Sequence, residues 1–370
     1  MILEECSGVV LATASYDHTI RFWKPSTGAC VLTKQHNESQ VNAMALTSDK
    51  GMLGVAGYQH IRLHDLRSTS DTAPPLFDYD GLSKNVTSIG FNADSRWMFT
   101  GGEDFSARVW DLRVPQSRSQ SQPSCQRIFQ VSTSVNAICL HPNQTELFVG
   151  DASGTIHLWD LRNDHNEQFV PESNASVLHL DVDSEGTMLG AVNNKGMAYV
   201  WNLVGMRPVG TDPSDQPTNT KPVPKIRIPV HKRYALKCRF SPDSTLMATT
   251  SADQTARIWK TADFAEMAVL RRGASPTIPP PPGQIGQASS SKAGSVSAAM
   301  SSSASGGAVD GGMKWVWDAA FTNDSQHLFT VSSDGVLRLW HVGGGEPIRQ
   351  YQGHQLAITA MAFADSTPPS

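Results

Sequence analysis

Three observations on the 370-residue sequence predict an all-β chain folded as a seven-bladed β-propeller, with blade 1 closed by both termini. One pattern of residues recurs seven times: an apolar pair, small hydroxyl residues, a polar turn and an alternating run that ends on an aromatic anchor. The closest copies, anchored at positions 23 and 64, stand 41 residues apart, within the period of about 40 to 45 residues that four short strands with their turns require. Finally, the chain opens in the middle of one such unit and closes with only the first strand of another.

The clearest copy is MATTSADQTARIWKTAD at 247–263, which reads as two antiparallel strands joined by a tight turn centred on Asp253. The others are LATASYDHTIRFWKPSTG from Leu11, LGVAGYQHIRLHDLRS from Leu53, MFTGGEDFSARVWDLRV from Met98, LFVGDASGTIHLWDLRN from Leu147, LGAVNNKGMAYVWNLVG from Leu189 and LFTVSSDGVLRLWHVGG from Leu328. The anchor is Trp23, Trp110, Trp159, Trp201, Trp259 and Trp340, with His64 standing in for tryptophan in the second copy. Over nearly its whole length the chain resembles WD40-repeat proteins. Repeats that stack only on their neighbours form one ring, so residues 1–370 are expected to be a single propeller.

The first strands are expected at 9–14 and 19–23, the second and third strands of blade 1, with 29–34 outermost. Residues 357–363 supply the missing innermost strand, because an open stack of sheets would leave two apolar faces exposed. In WD40 proteins a buried chain of His, Ser or Thr, Asp and Trp ties each blade together. The resemblance assigns it here to His354, Thr13, Asp17 and Trp23 in blade 1 and to His231, Thr249, Asp253 and Trp259 in blade 6. A catalytic triad needs an exposed nucleophile beside an oxyanion hole. Here the hydroxyl lies inside a strand and the set repeats between blades, so it is read as structural.

The connections at 68–75, 115–124 and 205–224 follow third strands and read as solvated loops, rich in Pro, Ser, Gln and Asp. The largest insertion, 273–312, is dominated by Ser, Ala, Gly and Pro and buries too little apolar surface to offset its ordering entropy, so disorder is expected there. It separates the outermost strand of blade 6 (266–270) from the innermost strand of blade 7 (317–321).

Composition narrows the chemistry. The net charge of −4 gives no electrostatic reason to expect a nucleic-acid partner, whose footprint would be a basic face. The five cysteines (Cys6, Cys30, Cys125, Cys139 and Cys238) are scattered and contain no Cys-x-x-Cys pair, so neither a disulfide framework nor a zinc site is expected, and the compartment is expected to be reducing. No apolar stretch approaches the ~18 residues of a membrane span, so neither a secretory leader nor an anchor is expected. There is no phosphate-binding glycine loop, no His-Glu-x-x-His and no Gly-x-Ser-x-Gly. The expected function is binding rather than catalysis, without metal or cofactor.

Aligning the seven innermost strands on their last large apolar residue (Leu46, Phe91, Leu140, Val182, Phe240, Phe321 and Phe363) locates the candidate surface. Four residues earlier stand Asn42, Thr87, Asn136, Leu178, Leu236, Trp317 and Thr359; six earlier stand Gln40, Asn85, Ser134, Ser176, Tyr234, Trp315 and Ala357. Most are polar or small. Blades 6 and 7 depart from this with Tyr234, Leu236, Trp315 and Trp317, and side chains two apart on a strand share a face, which predicts a contiguous aromatic patch at one rim.

The runs HNESQVNA at His36, AGYQHIRLHDL at Ala56, GGEDFSARVWDLR at Gly101, CQRIFQV at Cys125, LHPNQTELFVGDASGTIHLWDLRNDHNEQ at Leu140, HKRYALKCRFSPDSTLMATTSADQT at His231 and GHQLAITAMAF at Gly353 are similar to the G-beta-like WD40 subunits of the TOR kinase complexes. That resemblance implies a non-catalytic scaffold docked on the C-terminal lobe of the TOR kinase, beside other TOR-complex subunits, stabilising the active kinase in nutrient and growth signalling. It implies a cytoplasmic location, peripheral on endomembranes through the complex. The kinase-binding positions it implies are Gln40, Asn42, Trp315 and Trp317, with Tyr234 added by the rim alignment. The alternative is a substrate receptor of a cullin-4 ubiquitin ligase, whose Trp-Asp-x-Arg motif resembles Trp110-Asp111-Leu112-Arg113 and Trp159-Asp160-Leu161-Arg162, with His64-Asp65-Leu66-Arg67 as a degenerate third.

Overall fold

The computed structural model describes residues 8–36, 39–67, 74–79, 82–113, 124–163, 165–204, 224, 226–271 and 314–365. Among them are twenty-eight strands in seven four-stranded antiparallel sheets, and no helix. The innermost strands, from Ile358–Ala364 through Ala43–Leu46, Val86–Phe91, Val135–Leu140, Val177–Val182, Ala235–Phe240 and Val316–Phe321, pack each against the next and back to the first. The ring is closed.

Blade 1 is built from both ends of the chain. Ile358–Ala364 pairs with Val10–Ser15, which continues through Thr19–Trp23 to Cys30–Gln35. Val10, Ala12, Ile20 and Phe22 are buried against Val41, Leu53 and Val55 of blade 2, while Leu11 and Trp23 pack on Phe329 and Tyr351 of blade 7. Neither neighbour would keep its apolar cover without this sheet.

The turns between second and third strands form for a local reason. Asp17, Asp104, Asp253 and Asp334 each accept, on Oδ1, the backbone N–H two residues on, which closes an Asx turn. The residue after the aspartate is left-handed: His18, Phe105 and Gln254 at φ of 59°, 64° and 73°, and Gly335 at 76°. Between sheets, space is kept by small residues; a Cβ on Gly150 would lie 2.6 Å from a Val177 methyl carbon of the next blade.

The predicted buried networks are present. Trp23 Nε1–H donates to Thr13 Oγ1 at 2.8 Å, Thr13 Oγ1 lies 2.8 Å from His354 Nε2, and His354 Nδ1 lies 2.9 Å from Asp17 Oδ2. Because the carboxylate can only accept, Nδ1 carries the proton, Nε2 accepts from Thr13, and every hydrogen in the chain has one direction. Blade 6 repeats it through Trp259, Thr249, His231 and Asp253 at 3.0, 2.9 and 3.0 Å. Blades 3 and 7 keep only the indole bond, Trp110 to Thr100 and Trp340 to Thr330. In blade 5 Ala191 takes the threonine position, and the buried Trp201 Nε1 has no partner.

The connections after the third strands of blades 2, 3 and 5 run to the outermost strands Phe77–Tyr79, Ser124–Gln130 and Ile226–Pro229, as predicted. The 273–312 insertion lies outside the described residues, between Glu266–Leu270 of blade 6 and Val316–Phe321 of blade 7.

Candidate protein-interaction site

One register irregularity shapes the rim where the innermost strands start. In blades 3 to 7 the pairing of first and second strands skips one residue, between Val86 and Ser88, Val135 and Ala137, Val177 and His179, Ala235 and Lys237, and Val316 and Asp318. In blade 1 the skipped residue is Thr359. The bulged residues are therefore Thr87, Asn136, Leu178, Leu236, Trp317 and Thr359, the position four before the strand's last apolar residue. A bulge re-aims the side chain of its extra residue.

Strict alternation of side chains therefore does not carry through the bulge. The residues buried between blades are Val86, Val135, Val177, Ala235, Val316 and Ile358, one position before the bulge. The bulged residues themselves are half-buried, and Thr87, Trp317 and Thr359 turn to the mouth of the central channel, where they join Asn42.

The polar residues at this aligned position, Asn42 of blade 2 included, share a structural task. Thr359 donates to Val41 O at 2.8 Å, Asn42 to Val86 O at 3.2 Å, Thr87 to Val135 O at 2.6 Å and Asn136 to Val177 O at 2.8 Å, each carbonyl belonging to the next blade. Blades 1 to 5 are thus clasped around the mouth by side chains. In blades 5 and 6 the equivalents Leu178 and Leu236 have no donor, and in blade 7 the Trp317 indole N–H donates within its own blade, to Ser333 Oγ at 2.7 Å. One arc of the rim is polar and clasped; the other is apolar.

Of the predicted site residues, Gln40, Asn42 and Trp317 meet. Together with Tyr16, Asn85, Thr87, Glu103 and Thr359 they line a depression of about 250 Å³. Trp315 rests against Trp317 with ring centroids 5.5 Å apart and planes 47° apart. Tyr234 is 51% exposed and, among the described residues, makes no ring contact with the tryptophan pair. The aromatic patch is accordingly narrower than predicted: two indoles, with Tyr234 separate on blade 6.

Gln40 and Asn42 are also less free than their sequence suggested. Gln40 Nε2 donates to Asn42 Oδ1 at 3.2 Å, Asn42 Nδ2 to Asn85 Oδ1 at 3.2 Å, and Asn85 Nδ2 to Glu103 Oε2 at 3.0 Å. Asn85, Thr87, Glu103 and Thr359 were not singled out from sequence. Asn85, Thr87 and Thr359 stand in the same aligned columns as Gln40 and Asn42, whereas nothing in the turn sequence marks Glu103.

The approach to Gln40 is held by two buried histidines. His36 Nε2 and His60 Nε2 are 2.9 Å apart, and His60 Nδ1 faces Tyr58 O at 2.9 Å. Burial, aided by the neighbouring His60, pushes the His36 pKa down to about 3, so the ring is neutral. Ser39, which precedes Gln40, accepts the Tyr58 N–H on its hydroxyl at 3.1 Å.

The larger cavity, about 590 Å³, lies at the other end of the channel, where the innermost strands finish. Its charged groups satisfy one another: Asp181 accepts the Phe240 N–H at 2.8 Å and stands 3.5 Å from Arg239. Among the described residues no cluster of three or more His, Cys, Asp or Glu could hold a metal. The Trp-Asp-x-Arg arginines have local partners: Arg113 binds both oxygens of Asp111, Arg162 both oxygens of Asp160, and Arg67 reaches Asp49. All three arginines nevertheless stay more than half exposed.

The family profile described as "WD domain, G-beta repeat" matches residues 74–111, 123–160, 223–260 and 308–341. The chain is 48% identical over 358 residues to the mouse protein named target of rapamycin complex subunit LST8, covering 97% of this chain and 95% of that one. The Drosophila melanogaster protein named LST8 homolog is 41% identical, covering 96% of each. The Saccharomyces cerevisiae target of rapamycin complex subunit LST8 is 40% identical over 256 residues, 69% of this chain and 78% of that one.

Proposed function

We propose, from the premise that this chain belongs to the LST8 family of WD40-repeat proteins, that it is a non-catalytic subunit of TOR kinase complexes. It docks on the C-terminal lobe of the kinase through the rim where the innermost strands start, and its binding stabilises the active kinase. The same reading places it in the cytoplasm, at endomembranes only through its complex.

The observation that supports this docking surface is the break in the ring of inter-blade clasps. Trp317 and Trp315 stand half-buried on blade 7, beside the polar arc that begins with Thr359 on blade 1 and carries Gln40 and Asn42 on blade 2. An apolar anchor flanked by ordered amides is the anatomy of an interface centre with its polar edge. The test is the triple variant Trp315→Phe, Trp317→Phe, Gln40→Glu. Phenylalanine keeps most of the apolar area, and the new carboxylate faces the Asn42 oxygen that the amide now serves. The expected result is at least tenfold weaker kinase binding with a melting temperature within a few degrees of the parent. Wild-type stoichiometry of the co-purified kinase would return the two tryptophans to a purely structural role.

A further inference from the structure

The hydrogen bonds around the mouth depression have a direction, and the direction says what the depression accepts. It starts from two groups that can only accept. The Val86 carbonyl forces Asn42 to turn its Nδ2 towards blade 3, and the Glu103 carboxylate forces Asn85 to turn its Nδ2 the other way. Asn85 Oδ1 therefore meets Asn42 Nδ2, Asn42 Oδ1 meets Gln40 Nε2, and Gln40 Oε1 is left as the open end of the chain. The hydroxyls behave alike: Thr87 and Thr359 donate their single hydrogens to the main-chain carbonyls of Val135 and Val41. The Trp317 N–H is taken by Ser333.

The wall that remains is rich in acceptors and poor in donors. It offers the second oxygen of Glu103, Gln40 Oε1 and the lone pairs of two hydroxyls, against one spare N–H each on Gln40 and Asn85. Among the described residues no cation pairs with Glu103. The Trp317 indole and Tyr16, which is 37% exposed, supply aromatic walls.

Resting on the docking surface proposed above, we infer that this depression is a receptor for one arginine side chain of the partner, with Glu103 as its counter-ion, Gln40 Oε1 as a second acceptor and Trp317 as the stacking face. Arginine fits better than lysine. Its planar fork of five donors matches acceptors spread over two blades, and a guanidinium stacks on an indole where a compact, strongly hydrated ammonium gains less. An acidic or apolar partner side chain would leave the Glu103 carboxylate uncompensated at the interface.

The test is Glu103→Gln in the full chain, with kinase affinity and the thermal melt measured in parallel with the triple variant. Glutamine keeps an acceptor for Asn85, so the amide chain and the melt are retained while the charge is lost. Removal of one charge-assisted bond is expected to weaken kinase binding roughly tenfold to a hundredfold. A second measurement needs no kinase: N-acetyl-arginine methylamide titrated into isotope-labelled protein should shift the Trp317 indole N–H saturably. The norleucine analogue should not, and Glu103→Gln should abolish the shift. If Glu103→Gln binds kinase at wild-type affinity while the triple variant loses it, the arginine receptor is wrong and the docking surface stands. If neither variant loses binding, both are wrong.

Discussion

Replacing Thr13 by valine tests how much the buried network holds the ring shut. The substitution keeps the β-branched shape but deletes the hydroxyl, which sits fully buried between Trp23 Nε1 and His354 Nε2 at 2.8 Å from each. Two buried polar groups lose their partners at once. Each such loss costs about 1–3 kcal/mol, which gives roughly 2–6 kcal/mol for the pair. Against the roughly 5–15 kcal/mol that commonly separates native from unfolded protein, that is a large fraction. Thr249→Val in blade 6 meets the same geometry, with Trp259 and His231 at 3.0 and 2.9 Å, so the two variants bracket the effect of position. Blade 6 is continuous in sequence, whereas the blade 1 network ties residues 341 apart. Equilibrium urea unfolding followed by tryptophan fluorescence measures both. A loss below about 0.5 kcal/mol in each variant would refute the argument that these hydroxyls hold buried partners.

Three further outcomes are expected. Ala191→Ser places a hydroxyl ten residues before the unpartnered Trp201 indole, the spacing of the bonded pairs, and should raise stability by about 1 kcal/mol, read as an upward shift in melting temperature. Asn136→Leu copies the residue of blades 5 and 6, orphans the Val177 carbonyl and the Ser176 contact, and should cost about 1–2 kcal/mol in urea unfolding. His64, whose buried ring nitrogens have no partner, is held down to about 4 chiefly by burial, from an ordinary value of 6.5. The unfolded chain therefore takes up a proton between those values and the folded chain does not. The His64 contribution should be full above pH 6.5 and fall by up to about 3 kcal/mol towards pH 4, with His36 adding a loss of the same sign, so His64→Leu should make the slope shallower without removing it in denaturant titrations at pH 7 and 5.

The fold was legible because its determinants are local and repeated. The aromatic anchors and the turn aspartates each act on residues within about ten positions, and seven copies average out the exceptions. His64 could be aligned as an anchor only because six tryptophans fixed the register around it. Closure of blade 1 by 358–364 was legible for a different reason: a lone innermost strand at one end and a blade lacking one at the other leave a single pairing. Strand bounds moved by one residue at Val10–Ser15 and Cys30–Gln35, a shift that the alternation of side chains alone does not resolve.

The site was harder to read because its geometry depends on a residue that breaks the period. Strict alternation carried back from Phe321 would place Trp317 on the face of Ala319, and the bulge between Val316 and Asp318 breaks that alternation. No single blade announces that bulge, since Thr, Asn, Leu and Trp all occupy the skipped position. Polarity there is no functional signal either: Asn42, Thr87, Asn136 and Thr359 are polar because each bonds the carbonyl of the blade that follows. Blades 5, 6 and 7 lack that clasp, and only blade 7 fills the position with an aromatic residue. Trp317 occupies a clasp position and cannot clasp its neighbour, its N–H being committed to Ser333; its indole packs instead against the apolar cluster shared by blades 7 and 1. The indole is only half-buried there and also lines the depression at the channel mouth. The acceptor-lined depression beside it, ending at Glu103, is the part of the rim with chemistry to offer.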